Sequence, residues 1–85
     1  MQKIHHYKVV TKVQNELGIL ARIAIMLRKF NVNIQSLNIT PSDEGKDFFN
    51  ISWVLDSTKD EESFAVVVRK LERLIPVLEV IAEEI

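Results

Sequence analysis

Cysteine is absent from the 85 residues, which removes disulfide frameworks, thiolate nucleophiles and cysteine-based zinc sites from consideration. Glycine occurs only at Gly18 and Gly45, too sparsely for a phosphate-cradling loop or a dinucleotide fingerprint, and no nucleophile elbow is present. Charge of one sign is also lacking. Eleven basic residues face twelve acidic ones, and no Lys or Arg cluster interleaves with aromatics as nucleic-acid binding requires. No apolar run approaches the ~20 residues of a membrane span, and MQKIHHYK has no apolar core of the kind a secretory signal carries. These absences argue against an enzyme, a nucleic-acid binder and a membrane protein, and make the cytoplasm the expected compartment.

What is present is core material. Apolar residues make up 47% of the chain, yet a single domain of this size buries only roughly 60 to 65% of its unfolded surface. A domain near this length often gains further burial by oligomerising, so a dimer or larger assembly is expected.

Apolar spacing predicts six elements. Tyr7, Val9, Thr11 and Val13 share one strand face, and Leu20, Ile23, Ala24, Leu27 and Phe30 then recur at helical spacing. Asn31 suits a helix stop because Asn tolerates the left-handed conformation. The second strand, Val32 to Thr40, changes parity between Ile34 and Leu37, which predicts a bulge at Gln35 and Ser36. Pro41 ends pairing, and 41–45 has turn-forming composition. Phe49, Ile51, Trp53 and Leu55 mark a third strand, with Trp53 read as core packing.

Thr58 with Glu61 fits a capping box ahead of a second helix striped by Phe64, Val67, Val68 and Leu71 and stopped at Pro76. A last strand runs from Val77 to about Ala82. Two strand-helix-strand units joined by a hairpin predict a single α+β domain over 1–85: a ferredoxin-like βαββαβ fold, its four-stranded antiparallel sheet covered by two helices on one face.

Few residues suggest chemistry. His5 and His6 are adjacent in a strand, so they point to opposite faces and do not join in one metal site; no metal or cofactor is expected. Asp60, Glu61 and Glu62 open a helix, where its dipole accounts for them better than catalysis does. NELGIL (15–20) is different. It delivers the chain into the first helix, whose leading N–H groups, around Gly18, Ile19 and Leu20, have no intrahelical partner. A ligand carboxylate approaching the bare Gly18 backbone would gain roughly 0.3 to 1 kcal/mol from the helix dipole. Spacing leaves two readings open: a carboxylate cradle with the Asn15 amide at its rim, or a turn in which Asn15 only caps the helix and Gly18 only permits the bend.

Residues 15 to 43, NELGILARIAIMLRKFNVNIQSLNITPSD, resemble the small-molecule-binding ACT domain, and within that group the regulatory small subunits of acetohydroxyacid synthase (acetolactate synthase). Asn15, Gly18, Leu20, Arg22, Leu27, Asn33, Ile34, Ser36, Leu37, Pro41, Ser42 and Asp43 match the motif, and KLERLIPVLEVI (70–81) is similar to the family's second helix and last strand. Leu17 departs from the usual Pro or small residue. The chain is similar to the short form of these subunits, which lacks their C-terminal extension.

The resemblance implies a non-catalytic homodimer that binds valine or a related branched-chain amino acid between protomers and activates a separate thiamine-diphosphate-dependent catalytic large subunit, to which that cofactor belongs. By the same resemblance, Asn15 contacts the ligand amino or carboxylate group and the Gly18 and Ile19 amides, next to Leu20, hold the carboxylate. Asn33 and Ile34 complete the site from the adjacent protomer. A free-standing ACT-type module serving another enzyme or a transcriptional regulator shares this pattern. So does a pure assembly module with a vestigial site.

Overall fold

A computed structural model describes residues 3–14, 18–43, 45–74 and 77–85. The alternation read from the sequence is realised as strand β1 (His5–Gln14), whose Tyr7, Val9, Thr11 and Val13 are all buried. Helix α1 (Ile19–Lys29), strands β2 (Asn33–Pro41) and β3 (Phe48–Ser57), helix α2 (Glu61–Glu72) and strand β4 (Val77–Glu84) follow. The order is the expected βαββαβ. The strands form one antiparallel sheet, β2-β3-β1-β4, so β1 and β3 lie at its centre and β2 and β4 on its edges.

Buried side chains of β1 and β3 meet those of Ile19, Ile23 and Leu27 from α1 and Phe64, Val67 and Leu71 from α2 in one core. Trp53 lies within it, 1% exposed, as its parity indicated. Its indole Nε1 donates to Thr11 Oγ1 at 3.2 Å, and that hydroxyl donates to the Ile51 carbonyl at 3.4 Å. The relay satisfies the buried polar groups that such a strand pair would otherwise strand in apolar surroundings.

Helix α1 ends as its sequence predicts. Asn31 takes a left-handed φ of 59°, its N–H donates to the Arg28 carbonyl and that of Val32 to the Leu27 carbonyl, both at 3.0 Å. This is the Schellman arrangement, closed by the buried pair Leu27 and Val32. The helix stripe needs one correction. Leu20 is 37% exposed and Ile19 takes its place inside, because α1 starts at Ile19 and residues 19, 23 and 27 then fall on the sheet-facing side.

The second helix also begins differently from the Thr58–Glu61 capping box. Asp60 is the N-cap, and its Oδ1 accepts from the Ser63 N–H at 2.8 Å. With Glu61 at the first helical position, Ser63 rather than Glu61 stands three residues inside the cap, and Thr58 lies outside it. The α-helix ends at Glu72; Pro76, its expected stop, lies outside the described residues.

The expected bulge is present: register shifts between Ile34 and Ser36 of β2. It places Ile34, Leu37 and Ile39 opposite Leu55, Trp53 and Ile51, so all three share the helix-covered face despite their change of parity in sequence. The side chain of Gln35, at the bulge, donates to Asp56, whose other oxygen lies 2.6 Å from His6 Nδ1. These two contacts hold the Asp56 carboxyl below the usual carboxylate range, the Gln35 bond contributing most.

Candidate functional site

Gly18 sits where β1 has ended and α1 begins. Its φ of 83° and ψ of 0° are left-handed, a conformation that a side chain disfavours, and a Cβ built there would meet nothing within 4 Å. The backbone at this point is therefore both shaped by glycine and open to approach. The Gly18 carbonyl accepts from the Arg22 N–H at 3.0 Å, which starts the helical ladder and leaves the amides of Ile19, Leu20 and Ala21 as those an α-helix does not pair within itself. α1 brings no acid to its first turn and has Arg28 and Lys29 in its last, so its N-terminal field stays favourable to an anion.

Ile19 anchors this turn in the core, 6% exposed, whereas Leu20 stands at the surface beside the open backbone. Asn15 and Leu17 lie outside the described residues. The other half of the expected site is placed elsewhere in the same chain. Asn33 and Ile34 open β2 at the far end of α1, an 11-residue helix about 16 Å long. Asn33 pairs with Asp56, which in turn faces His6 near the start of β1, whereas Pro41 pairs with Phe49, which faces Val13 near its end. Within one protomer, then, Gly18 shares an end of the sheet with Pro41, and Asn33 belongs to the other end.

The edge strand between them is notable for what it exposes. All nine residues of β2 are exposed and none is charged. Ile34, Leu37 and Ile39, on the helix-covered face, retain 36%, 40% and 46% of their accessibility. Sequence patterning located this strand but gave no warning that its apolar face stays uncovered. Nor did it reveal the His6–Asp56–Gln35 contacts that pin the bulge, because those residues are far apart in the chain and carry no motif.

His5 and His6 do point apart, His5 Nδ1 lying 2.6 Å from Glu84 Oε2 and His6 reaching Asp56. Among the described residues no three His, Asp or Glu side chains are grouped to hold a metal ion, and no helix is long and apolar enough to cross a membrane.

Residues 7–76 match the family model described as the ACT domain. None of the curated proteins compared matches the chain. Several solved structures do. A protein of unknown function from Galdieria sulphuraria superposes with a TM-score of 0.82 at 12% identity, over 98% of this chain and 46% of that one, so the chain spans less than half of that protein's length. The ACT domain of GTP pyrophosphokinase from Chlorobium tepidum gives a TM-score of 0.72 at 15% identity, covering 94% and 86% of the two chains. An ACT domain protein from Streptococcus pneumoniae gives 0.73 at 13% identity, covering 94% and 89%. At these identities the likeness is one of fold.

Proposed function

The chain belongs to the ACT domain family, typically small-molecule regulatory modules rather than catalysts, and from that premise we propose that it is a regulatory small subunit of acetohydroxyacid synthase (acetolactate synthase). In this reading it is a single-domain cytoplasmic homodimer that binds valine or a related branched-chain amino acid. Binding biases a catalytic large subunit, which holds the thiamine diphosphate. The observation that carries the effector site is Gly18: a left-handed residue with open space above it at the start of a helix.

Pairing β2 with β2 of a second copy across a two-fold axis supports the division of the site between protomers. Antiparallel pairing centred on Leu37 sets Asn33 and Ile34 of the partner subunit beside Pro41 and Thr40, at the same end of the sheet as Gly18. It also covers Ile34, Leu37 and Ile39, and the bulge held by Gln35 and Asp56 fixes which face those side chains take. The effector carboxylate then lies on the Gly18, Ile19 and Leu20 turn with the Asn15 amide beside it, and the partner's Asn33 closes the other side. Charge-assisted hydrogen bonds of this kind contribute about 1.5 to 3 kcal/mol each, enough to sustain the roughly 1 to 3 kcal/mol of coupling typical of an effector.

The test is reconstitution with a catalytic large subunit from the same source. Co-elution and a rise in acetolactate formation, modulated by valine, are expected. Neither co-elution nor any rate change would overturn the synthase assignment. Saturable valine binding without either effect would instead assign the domain to another enzyme or a transcriptional regulator.

A further inference from the structure

Helix α1 carries a second stripe beside its buried one. Ile19, Ile23 and Leu27 face the core, whereas Arg22, Ile25, Met26 and Lys29 recur at the i, i+3, i+4 and i+7 spacing of a neighbouring helix face. With Leu74 these four residues line a recess of about 280 Å³. Met26 and Leu74 are half-buried against the core and form its floor, and Ile25 stands at its rim, 56% exposed. Leu74 follows α2, the helix that packs beside β4, so the recess opens on the side of α1 turned away from β2 and stays accessible when two β2 edges pair.

The charge around this recess has one sign. Arg22 and Lys29 stand at its two ends, about 10 Å apart along the helix, and among the described residues no acid lines it. α1 contains no Asp or Glu, so neither cation has a partner one turn away on its own helix. Neither forms an ion pair with any described residue elsewhere. Of the two charged residues before Leu74, Glu72 lines the separate groove between α2 and β4 and Arg73 is basic, so the recess keeps its positive charge.

We propose that this stripe docks a helix of a partner protein that carries Asp or Glu at positions i and i+7 and large apolar residues at i+3 and i+4. The apolar pair lies on Ile25, Met26 and Leu74, and the two carboxylates meet Arg22 and Lys29. The spacing follows from the common rise of two helices lying side by side: acids seven residues apart span the same distance as the two cations. A second copy offering its own α1 would set cation against cation. An anionic membrane is a poorer fit. Charge-driven membrane binding uses roughly four to eight Lys or Arg, whereas α1 has three, and its main apolar face is buried in the core. None of the five recess residues belongs to the effector turn or to Asn33 and Ile34, so the docking does not rest on the effector reading.

An Ala-rich helical peptide about 18 residues long, with Glu at i and i+7 and Leu at i+3 and i+4, tests the proposal when titrated into the isotopically labelled protein and followed by backbone amide resonances. Saturable shifts confined to α1 and the residues around Leu74 are expected. Lys29→Glu should weaken binding at least tenfold, and Arg28→Glu, the same charge change at an exposed α1 position off the stripe, less than threefold. The Arg22→Glu/Lys29→Glu protein should instead bind the peptide with Lys in place of Glu, which the wild type should not. The proposal is overturned by shifts elsewhere, by equal weakening in the two single variants, by equal binding of both peptides to wild type, or by no response at millimolar peptide. Shifts of the same resonances with phosphatidylserine vesicles and not with the Glu peptide would overturn it in favour of a membrane surface.

Discussion

Replacing Thr11 by valine keeps its volume and branching and removes only the hydroxyl that links Trp53 Nε1 to the Ile51 carbonyl. A buried indole N–H without an acceptor costs about 1 to 3 kcal/mol, so Thr11→Val should destabilise the fold by that amount in denaturant unfolding, although it adds apolar surface to the core. Gly18 poses the opposite problem. A Cβ there finds open space, so Gly18→Ala pays only for left-handed backbone, about 1 to 2 kcal/mol, with Gly18→Asn costing less. Calorimetric melting of the two variants measures the difference, and equal stability of wild type and Gly18→Ala would show that the turn relaxes. Trp53 and the stop at Asn31 were legible in sequence because each is set by a local rule, strand parity in one case and tolerance of positive φ in the other. The Thr11 relay was not legible, since it joins residues about forty positions apart.

Elements were read with similar success and similar limits. Strand parity identified every buried residue of β1 from Tyr7 to Val13 and the face of β3, and the break in parity between Ile34 and Leu37 located the bulge. Helix starts were harder, because a cap is defined by one residue's geometry and several polar residues compete for it: Asp60 won over Thr58. The Asp60 carboxylate accepts the Ser63 N–H, which holds its pKa below the ordinary value; its contribution is full above about pH 4 and is lost as the pH falls through the lowered value. The melting temperature of wild type should therefore drop towards that of Asp60→Ala in acid, while at neutral pH the alanine variant melts lower. A constant gap across the acid range would show that the cap bond is not made. For β2, Leu37→Asp places a charge at the centre of the exposed apolar edge. Sedimentation should show a dimer converted to monomers of unchanged secondary structure, and a persistent dimer would locate the interface elsewhere.

At the scale of the whole molecule, the βαββαβ order explains why one chain holds only part of the site expected of it. β1 and β2 are parallel in direction because α1 returns the chain between them, so Gly18 at the start of that helix and Asn33 just beyond its end lie about a helix length apart. In the proposed dimer a second copy brings them together, and the same pairing covers Ile34, Leu37 and Ile39. The fold was legible in apolar periodicity because it depends on which faces are buried. Of the proposed site, the sequence marks the glycine turn at Gly18, whereas an assembly of the proposed kind, joining two ends of one strand, would leave no periodic trace. Titration calorimetry of wild type and Gly18→Asp with L-valine, L-leucine and L-isoleucine tests the central claim most directly. The account predicts saturable heat from at least one of the three in wild type and its loss in a Gly18→Asp protein that remains folded; no saturable heat with any of them would contradict it.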